Sequence, residues 1–353
     1  MTDLDGAVAV LSWDERRQAP SFDARDGIMF RTARSLAGSL AADRGGAAAG
    51  ATETLAALPD DGFRNLLSSP RVRELVWATP DVTELASLVM REGARCGLDV
   101  EAAAGWSALG DTWVGDAPAG LVHGSPGGAV GPIAVDVSLP TAVERPSGGL
   151  RDPVAPSGPD LERSRSKAGA ALRTAARVSP AAHAFVCCHT STVVFRHDRA
   201  GDPSVRSASS AAAPGRTMLV NVDDDAADRQ VAEALLHEAI HAFVTALEFR
   251  GPLTDDGGSR PVRSPWTGDR IPGRALAHAC FVWFGLDRFR RLAGDDTADP
   301  NRAVADGFRR LDLDVFDQAG VALSEPCRQA LELMKELVLD GRWQPDAART
   351  NTT

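Results

Sequence analysis

The sequence predicts an α+β fold that is mostly helical, with a small antiparallel sheet packed beside a buried helix that carries an H-E-x-x-H motif. Segments with apolar residues at helical spacings fill both ends of the 353-residue chain. Two β-like runs, between positions 183 and 222, come shortly before the most apolar of the long helical segments. With 44% apolar and 24% charged residues the composition is that of a globular protein, and the length suits one large domain or two smaller ones.

Residues 1–115 form the predicted helical N-terminal region. Its segments with helical spacing are Ile28–Ala42, Glu53–Leu58, Gly62–Leu67, Val72–Trp77 and Val82–Cys96. The Gly/Ala-rich residues 44–50 are expected to form a loose connection. Residues 116–166 are rich in Pro, Gly and Ser, so we expect them to connect two regions, with one strand at Ile133–Leu139.

Residues 167–341 are predicted to form the second folded domain, followed by a polar tail at 342–353. The predicted helices are Ser166–Val178, Ala226–Phe249, Arg274–Leu292, Asn301–Leu311 and Ser324–Leu339. The β-like runs are His183–Arg196 and Thr217–Val222. Three consecutive aspartates at 223–225 are expected to open the long helix, because acidic side chains suit the positive end of a helix dipole.

Charge and cysteine content narrow the class of protein. The net charge is −10, which makes nucleic acid a poor partner because binding it needs a concentrated basic surface. No stretch approaches the roughly 18 uncharged apolar residues that span a bilayer, so no membrane partner is expected. The acidic N-terminus predicts no signal peptide, and five cysteines without a C-x-x-C pair suit a reduced cytoplasm.

The segment with the clearest chemistry is His237-Glu238-Ala239-Ile240-His241. A helix places the two histidines on one face, about 5–6 Å apart at Cβ, where both imidazoles can bind one metal ion. Glu238 lies beside them and can reach a metal-bound water or orient a ligand. The flanking residues are apolar nearly all round, which indicates a buried helix in which a metal would satisfy the polar side chains. Residues 167–341 are therefore interpreted as a metal-binding catalytic domain.

A third protein ligand has to come from elsewhere in the chain. Val244 and Leu247 stand where the longer metzincin motif needs glycine and histidine, so that subclass is excluded. His278 is the preferred candidate because it lies in a second apolar helix long enough to pack against the first. Loop aspartates are alternatives at positions 255, 256 and 269. The histidines at 123, 183, 189 and 197 are interpreted as structural or exposed, and the adjacent cysteines at 187 and 188 as core residues that point to opposite faces of a strand.

Several short matches accompany the motif. They are Ala232–His241, Ser264-Pro265-Trp266, Arg270, Pro272-Gly273 and His278-Ala279, with weaker matches at Ser209-Ser210, Gly215, Met218-Leu219, Leu58-Pro59, Phe63, Leu66-Leu67 and Pro70–Val72. Together they resemble the HExxH-motif proteins that modify ribosomally made peptides, a group that includes iron(II)- and 2-oxoglutarate-dependent peptide β-hydroxylases. The resemblance is strong over about residues 209–283 and faint elsewhere. Thr267 departs from it, since a basic residue is expected after Pro-Trp.

The resemblance implies hydroxylation of a precursor peptide at a side-chain β-carbon, with Fe(II) as metal and 2-oxoglutarate as co-substrate. It implies three imidazole ligands, from His237, His241 and His278, with Glu238 in a supporting role. The expected partner of the distal carboxylate of 2-oxoglutarate is Arg270, because a guanidinium pairs bidentately with a carboxylate. Two further arginines, at positions 263 and 274, are alternatives.

Two other functions fit the same motif. The first is a zinc metallopeptidase in which Glu238 acts as general base on a zinc-bound water. The second is a non-catalytic binding or scaffold protein whose metal is structural, for which four protein ligands would close the site. The sequence alone does not identify the metal, because two histidines on a helix suit zinc, iron and cobalt alike.

Overall fold

The computed structural model describes residues 4–43, 46–116, 128–138, 150–223, 225–255, 260–294 and 299–340. These residues form helices and short strands, and the predicted α+β class is confirmed. Within these ranges, no helix combines the length and the apolar character needed to cross a lipid bilayer. No disulfide bond joins any of the five cysteines, all of which lie in the described ranges.

Helices account for most of the described chain. They are α1 (Leu4–Val10), α2 (Ala19–Ala42), α3 (Gly46–Ala57), α4 (Asp60–Ser68), α5 (Pro70–Trp77), α6 (Val82–Arg95), α7 (Pro159–Val178), α8 (Pro180–His189), α9 (Asp228–Glu248), α10 (Gly273–Leu292), α11 (Asp299–Arg310), α12 (Asp314–Ala319) and α13 (Glu325–Asp340). A short 3₁₀ turn at Glu15–Arg17 precedes α2.

The strands are short and lie mostly in the middle of the sequence. They are β1 (Gly105–Trp106), β2 (Trp113–Val114), β3 (Ala129–Val130), β4 (Ile133–Val135), β5 (Pro153–Val154), β6 (Thr192–Asp198), β7 (Arg206–Ser209), β8 (Arg216–Val220), β9 (Thr254–Asp255), β10 (Val262–Arg263), β11 (Arg270–Ile271) and β12 (Ala322–Leu323).

The chain divides into two compact units, each built from more than one stretch of the sequence. The smaller unit combines Met1–Asp23, Ala176–Ala182 and Ala246–Thr353, and the larger combines Ala24–Ala175 and His183–Thr245. Helices α2, α7, α8 and α9 each have residues in both units, and the predicted domain organisation stays a prediction. The predicted polar tail at 342–353 lies outside the described residues.

The larger unit contains a six-stranded sheet whose pairing is mixed. Its order is β3-β4-β6-β8-β7, and β5 pairs with the end of β6. The pairs β4–β6 and β6–β8 are parallel, whereas β3–β4 and β7–β8 are antiparallel. The sequence predicted an antiparallel sheet, and the parallel centre is a difference from that prediction. Strands buried on both faces are typical of parallel pairing, and all five residues of β8 are buried.

The predicted strand His183–Arg196 is two elements, because α8 covers its first part and β6 begins only at Thr192. Two start signals explain the helix: Pro180 at its first position, and the hydroxyl of Ser179, which accepts a hydrogen bond of 3.1 Å from the backbone N–H of Ala182. An apolar run of this length does not distinguish a buried helix from a strand by periodicity. The adjacent cysteines of α8 are therefore about 100° apart around a helix, and not on opposite faces of a strand.

The other predicted helices are observed and end close to their predicted last residues, but several begin elsewhere. Helix α2 begins at Ala19 and not at Ile28, α7 begins at Pro159 and not at Ser166, and α3 begins at Gly46, inside the predicted loose connection. Helix α9 begins at Asp228, after the aspartates expected to open it. The predicted strand at Ile133–Leu139 is observed as β4, and Leu139 lies outside the described residues.

Each unit has its own apolar core. In the larger unit, helices α2 to α6 bury a cluster that includes Leu36, Leu66 and Val89. In the smaller unit, α13 packs against α1, α10 and α11. The indole N–H of Trp13 donates a hydrogen bond of 2.8 Å to the carbonyl of Gly285, which fixes the N-terminal segment to α10. These cores support the two parts of the chain that carry the candidate ligands.

Candidate metal centre

The H-E-x-x-H motif lies on α9, within the part of that helix that belongs to the larger unit. The Nε2 atoms of His237 and His241 are 3.2 Å apart, and the ring centroids are 4.9 Å apart with an interplanar angle of 58°. One turn of helix separates the two residues, so their imidazoles lie on the same face. The predicted convergence of the two histidines is therefore observed.

The separation of the two nitrogens fits a shared metal ion. With each imidazole nitrogen about 2.1 Å from the ion, a spacing of 3.2 Å corresponds to an angle of roughly 100° at the metal. That angle lies between the octahedral and tetrahedral values, so the donor set suits either geometry. The same spacing also suits an N–H···N hydrogen bond between two neutral rings, and metal analysis distinguishes the two arrangements.

Glu238 completes the group of ligand atoms that lie within 4.8 Å of one another in the described residues. Its Oε1 atom is 3.9 Å from the Nε2 atom of His237. The two side chains differ in exposure, because the imidazole of His237 is 36% exposed and the carboxylate of Glu238 only 3%. A carboxylate this deeply buried needs hydrogen-bond donors, since removing an ionised group from water is costly.

Two serines of β7 supply those donors. The hydroxyl of Ser207 donates to Oε1 of Glu238 at 2.7 Å, and the hydroxyl of Ser209 donates to Oε2 at 2.5 Å. Residues two apart on a strand point to the same face, so β7 presents both hydroxyls to α9. Both oxygens of Glu238 therefore already accept a hydrogen bond, which holds the carboxylate in one position.

The role of Ser207 was not predicted from the sequence. The sequence offered only the Ser-x-Ser spacing at 207 and 209, which lies between the two predicted β-like runs, and nothing linked it to α9. Pairing of β7 with β8 at the edge of the sheet is what brings these serines to the motif. Long-range contacts of this kind follow from the topology and cannot be predicted from local spacing.

His278 lies in the smaller unit, on α10, where its side chain is buried. Its Nε2 atom is 3.1 Å from Oε2 of Glu248, at the end of α9. Arg274 donates to both oxygens of the same carboxylate. Burial raises the pKa of Glu248, but pairing with His278 and Arg274 outweighs it and lowers the pKa to about 2. The role of His278 as third metal ligand stays a prediction.

The candidate arginines for the co-substrate differ in their surroundings. Arg270 and Arg263 face each other across the β10–β11 pair, and both are exposed. The Nη2 atom of Arg270 donates to the carbonyl of Pro261 at 3.1 Å. Among the described residues neither has an acidic partner within ion-pair distance, whereas Arg274 is paired with Glu248. Arg270 and Arg263 therefore keep charge available for a ligand.

The remaining predicted alternatives lie at several places. Asp255 is in β9, opposite Ala322, and Asp269 lies in the exposed turn before β11. The side chain of His183 is 3.6 Å from the thiol of Cys187. His189 is buried between the rings of two phenylalanines, at 185 and 243. His123 and Asp256 lie outside the described residues.

Neither the protein-family models nor the curated proteins contain a match to this chain. The candidate function therefore rests on the motif, the resemblance of the surrounding residues and the geometry of the site.

Proposed function

We propose that this protein is an Fe(II)- and 2-oxoglutarate-dependent enzyme that hydroxylates a ribosomally made precursor peptide at a side-chain β-carbon. The observation that supports it most directly is the geometry of the motif. The two imidazoles converge, and the adjacent glutamate accepts hydrogen bonds from two serines. The choice of iron, co-substrate and peptide rests on the resemblance described for residues 209–283. His237, His241 and His278 are the proposed ligands.

When bound, the metal would let 2-oxoglutarate, dioxygen and a peptide C–H bond react to give succinate, carbon dioxide and a C–OH group. The protein's own contribution is to position the reactants. The imidazole of His237 is 36% exposed, so small molecules can reach this side of the motif. Arg270 is proposed to pair with the distal carboxylate of 2-oxoglutarate, since its guanidinium has no acidic partner among the described residues. Glu238 positions α9 against β7 and takes no proton in this scheme.

Hydrolysis by a zinc peptidase makes a different demand on Glu238. A general base needs a carboxylate oxygen within hydrogen-bond reach of the water that it activates. Both oxygens of Glu238 already accept from serine hydroxyls, and the side chain is 3% exposed. This arrangement favours a positioning role for Glu238 and therefore supports the hydroxylase over the peptidase.

The proposal is tested with anaerobically purified protein reconstituted with Fe(II). We expect about one Fe(II) per chain, lost on His237→Ala or His241→Ala and retained on the control His197→Ala, which changes a histidine of β6 outside the motif. On admission of oxygen, succinate should form only when 2-oxoglutarate is present, and a substrate peptide should gain one oxygen atom. Zinc-dependent peptide cleavage that is indifferent to 2-oxoglutarate would refute the hydroxylase and support the peptidase.

Glu238→Gln separates the two chemistries within one variant. The amide keeps the shape of the side chain and can still accept a hydrogen bond, but it cannot act as a base. A hydroxylase should retain measurable 2-oxoglutarate turnover, whereas loss of a general base costs about 10²–10⁴-fold in rate. Complete loss of turnover with unchanged metal content would contradict the positioning role.

A further inference from the structure

A cavity of about 220 Å³ lies in the larger unit and is lined by positive charge. Helix α9 contributes Ala242 to its wall, about 100° around the helix from His241, and neither histidine of the motif lines it. Three arginines line the cavity, Arg25, Arg64 and Arg73, and the lining includes no aspartate or glutamate. This concentration of one charge contrasts with the net charge of −10 for the whole chain.

Arg73 is buried at 4% exposure without a carboxylate partner among the described residues. Its Nε and Nη2 atoms donate to the carbonyl of Leu67 at 3.2 and 3.0 Å, and Nη1 donates to the carbonyl of Pro214 at 2.7 Å. A guanidinium has five N–H groups, so two of them stay available. Burial lowers the pKa of Arg73 to about 10, which leaves it charged at neutral pH. A buried charge without a counterion is costly unless something pairs with it.

Hydroxyl side chains also line the cavity, among them those of Thr190 and Ser191. Thr190 is 2% exposed, and its hydroxyl has no hydrogen-bond partner within the described part of the chain. Gly215 has a φ of +93°, and a Cβ there would lie 2.9 Å from Nη1 of Arg73 and 3.1 Å from the hydroxyl of Ser191. The guanidinium and the Ser191 hydroxyl can approach this point of the wall because Gly215 has no side chain.

The other two arginines are more exposed. Arg25 pairs with Asp26 at 3.2 Å, whereas Arg64 has no ion-pair or hydrogen-bond partner in the described ranges. The positive potential reaches the neighbouring His189. Burial, together with the charges of Arg25 and Arg73, lowers the pKa of that imidazole to about 3. His189 is therefore neutral at physiological pH and adds no positive charge of its own.

We propose that this cavity binds the oxyanion group, a carboxylate or a phosphate, of a small molecule at a site separate from the metal centre. Arginine recognises both groups through paired N–H donors, and hydroxyls such as that of Thr190 donate to the same oxygens. The volume lies below the roughly 300 Å³ at which drug-sized pockets begin, which restricts the ligand to small molecules. This site goes beyond the proposed hydroxylation and does not depend on it.

The test is isothermal titration calorimetry of the full chain with inorganic phosphate and, separately, with succinate. We expect one of the two to bind with a Kd of about 1 mM or lower. The tighter probe identifies the oxyanion class. Arg64→Gln should weaken that binding by about tenfold, because a charge-assisted hydrogen bond is lost. The control Arg34→Gln changes an exposed arginine of α2 outside the cavity and should leave the Kd unchanged.

Arg73→Gln should abolish binding, with circular dichroism checking that the variant folds. If it does not fold, Arg64→Gln and the control still decide the question. Failure of both probes to bind at about 10 mM, or equal weakening by Arg34→Gln, would overturn the proposal. Binding of the tighter probe must also persist in the His237→Ala, His241→Ala double variant, since its loss there would place the anion at the metal centre. Persisting binding without 2-oxoglutarate turnover would reject the proposed function and support this cavity site.

Discussion

The pair of serines that holds Glu238 gives the most quantitative prediction for this protein. Ser209→Ala removes the donor to Oε2, and Ser207→Ala removes the donor to Oε1. Because the carboxylate is 3% exposed, water replaces a lost donor poorly. A hydrogen bond to a charged group contributes about 1.5–3 kcal/mol, so each single variant should lose about that much stability. The double variant should lose more than either, up to about 5 kcal/mol.

The same substitutions in a Glu238→Gln background isolate the charge. An amide–hydroxyl hydrogen bond between neutral groups contributes only about 0.5–1.5 kcal/mol, so each serine substitution should cost about 1 kcal/mol less there than with the glutamate present. That difference is the coupling energy of a double-mutant cycle. Its size measures how strongly the hydroxyls stabilise the ionised carboxylate.

The assay is urea denaturation of the metal-free protein, followed by fluorescence and by circular dichroism. Coincident transitions are needed before one free energy of unfolding is assigned, because the chain has two compact units. Ser204→Ala is the control, since Ser204 is exposed and lies outside β7. A loss below about 0.5 kcal/mol for Ser209→Ala, or an equal loss in both backgrounds, would refute the view that these serines hold an ionised Glu238.

Three further predictions test other parts of the structure. His278→Ala should remove Fe(II) without unfolding the chain, and metal analysis showing full retention would mean that another residue is the third ligand. His189 has its pKa lowered to about 3 from an ordinary value of 6.5, so the unfolded chain takes up a proton that the folded chain does not. The free energy of unfolding should therefore fall as the pH drops below about 6.5, by about 3 kcal/mol near pH 4. Urea titrations near pH 6.5 and pH 4 should show that His189→Phe removes most of this loss. Gly215→Ala should destabilise the protein by about 1–3 kcal/mol, because φ is +93° and the new Cβ would lie 2.9 Å from Nη1 of Arg73. The control is Gly169→Ala in α7, where the new Cβ would lie 3.5 Å from Nη1 of Arg173, and this variant should not be destabilised.

The elements predicted best are the amphipathic and apolar helices with clear stops. Helix α6 is observed at Val82–Arg95, next to the predicted Val82–Cys96, because Asp81 caps it and accepts a hydrogen bond from the backbone N–H of Glu84. The start of α8 was missed although Ser179 and Pro180 mark it. The β-branched residues that follow led to the prediction of one strand over His183–Arg196, because the local pattern alone does not distinguish a buried helix from a buried strand.

In the candidate site, too, features set by local sequence spacing were predicted, and features set by long-range contacts were not. The convergence of His237 and His241 follows from helical spacing alone, and it is observed. The hydrogen bonds of Glu238 depend on the position of β7 in the sheet, and the spacing of residues within the motif does not predict that position. The basic cavity around Arg73 was missed for the same reason: its arginines come from helices α2, α4 and α5, far apart in sequence from Thr190.

The contact between His278 and Glu248 bears on how His278 could act as a ligand. A histidine that binds a metal through one ring nitrogen usually donates its other N–H to a carboxylate, which fixes the ring and strengthens the donor. Nε2 of His278 lies 3.1 Å from Glu248, so the nitrogen left for a metal is Nδ1. Glu248 is itself held by Arg274 and stays ionised because its pKa is about 2. If His278 is a ligand, Glu248→Gln should weaken Fe(II) binding by about 10–100-fold while all proposed ligands stay in place. Unchanged affinity would mean that the carboxylate pairs with a histidine that has only a structural role.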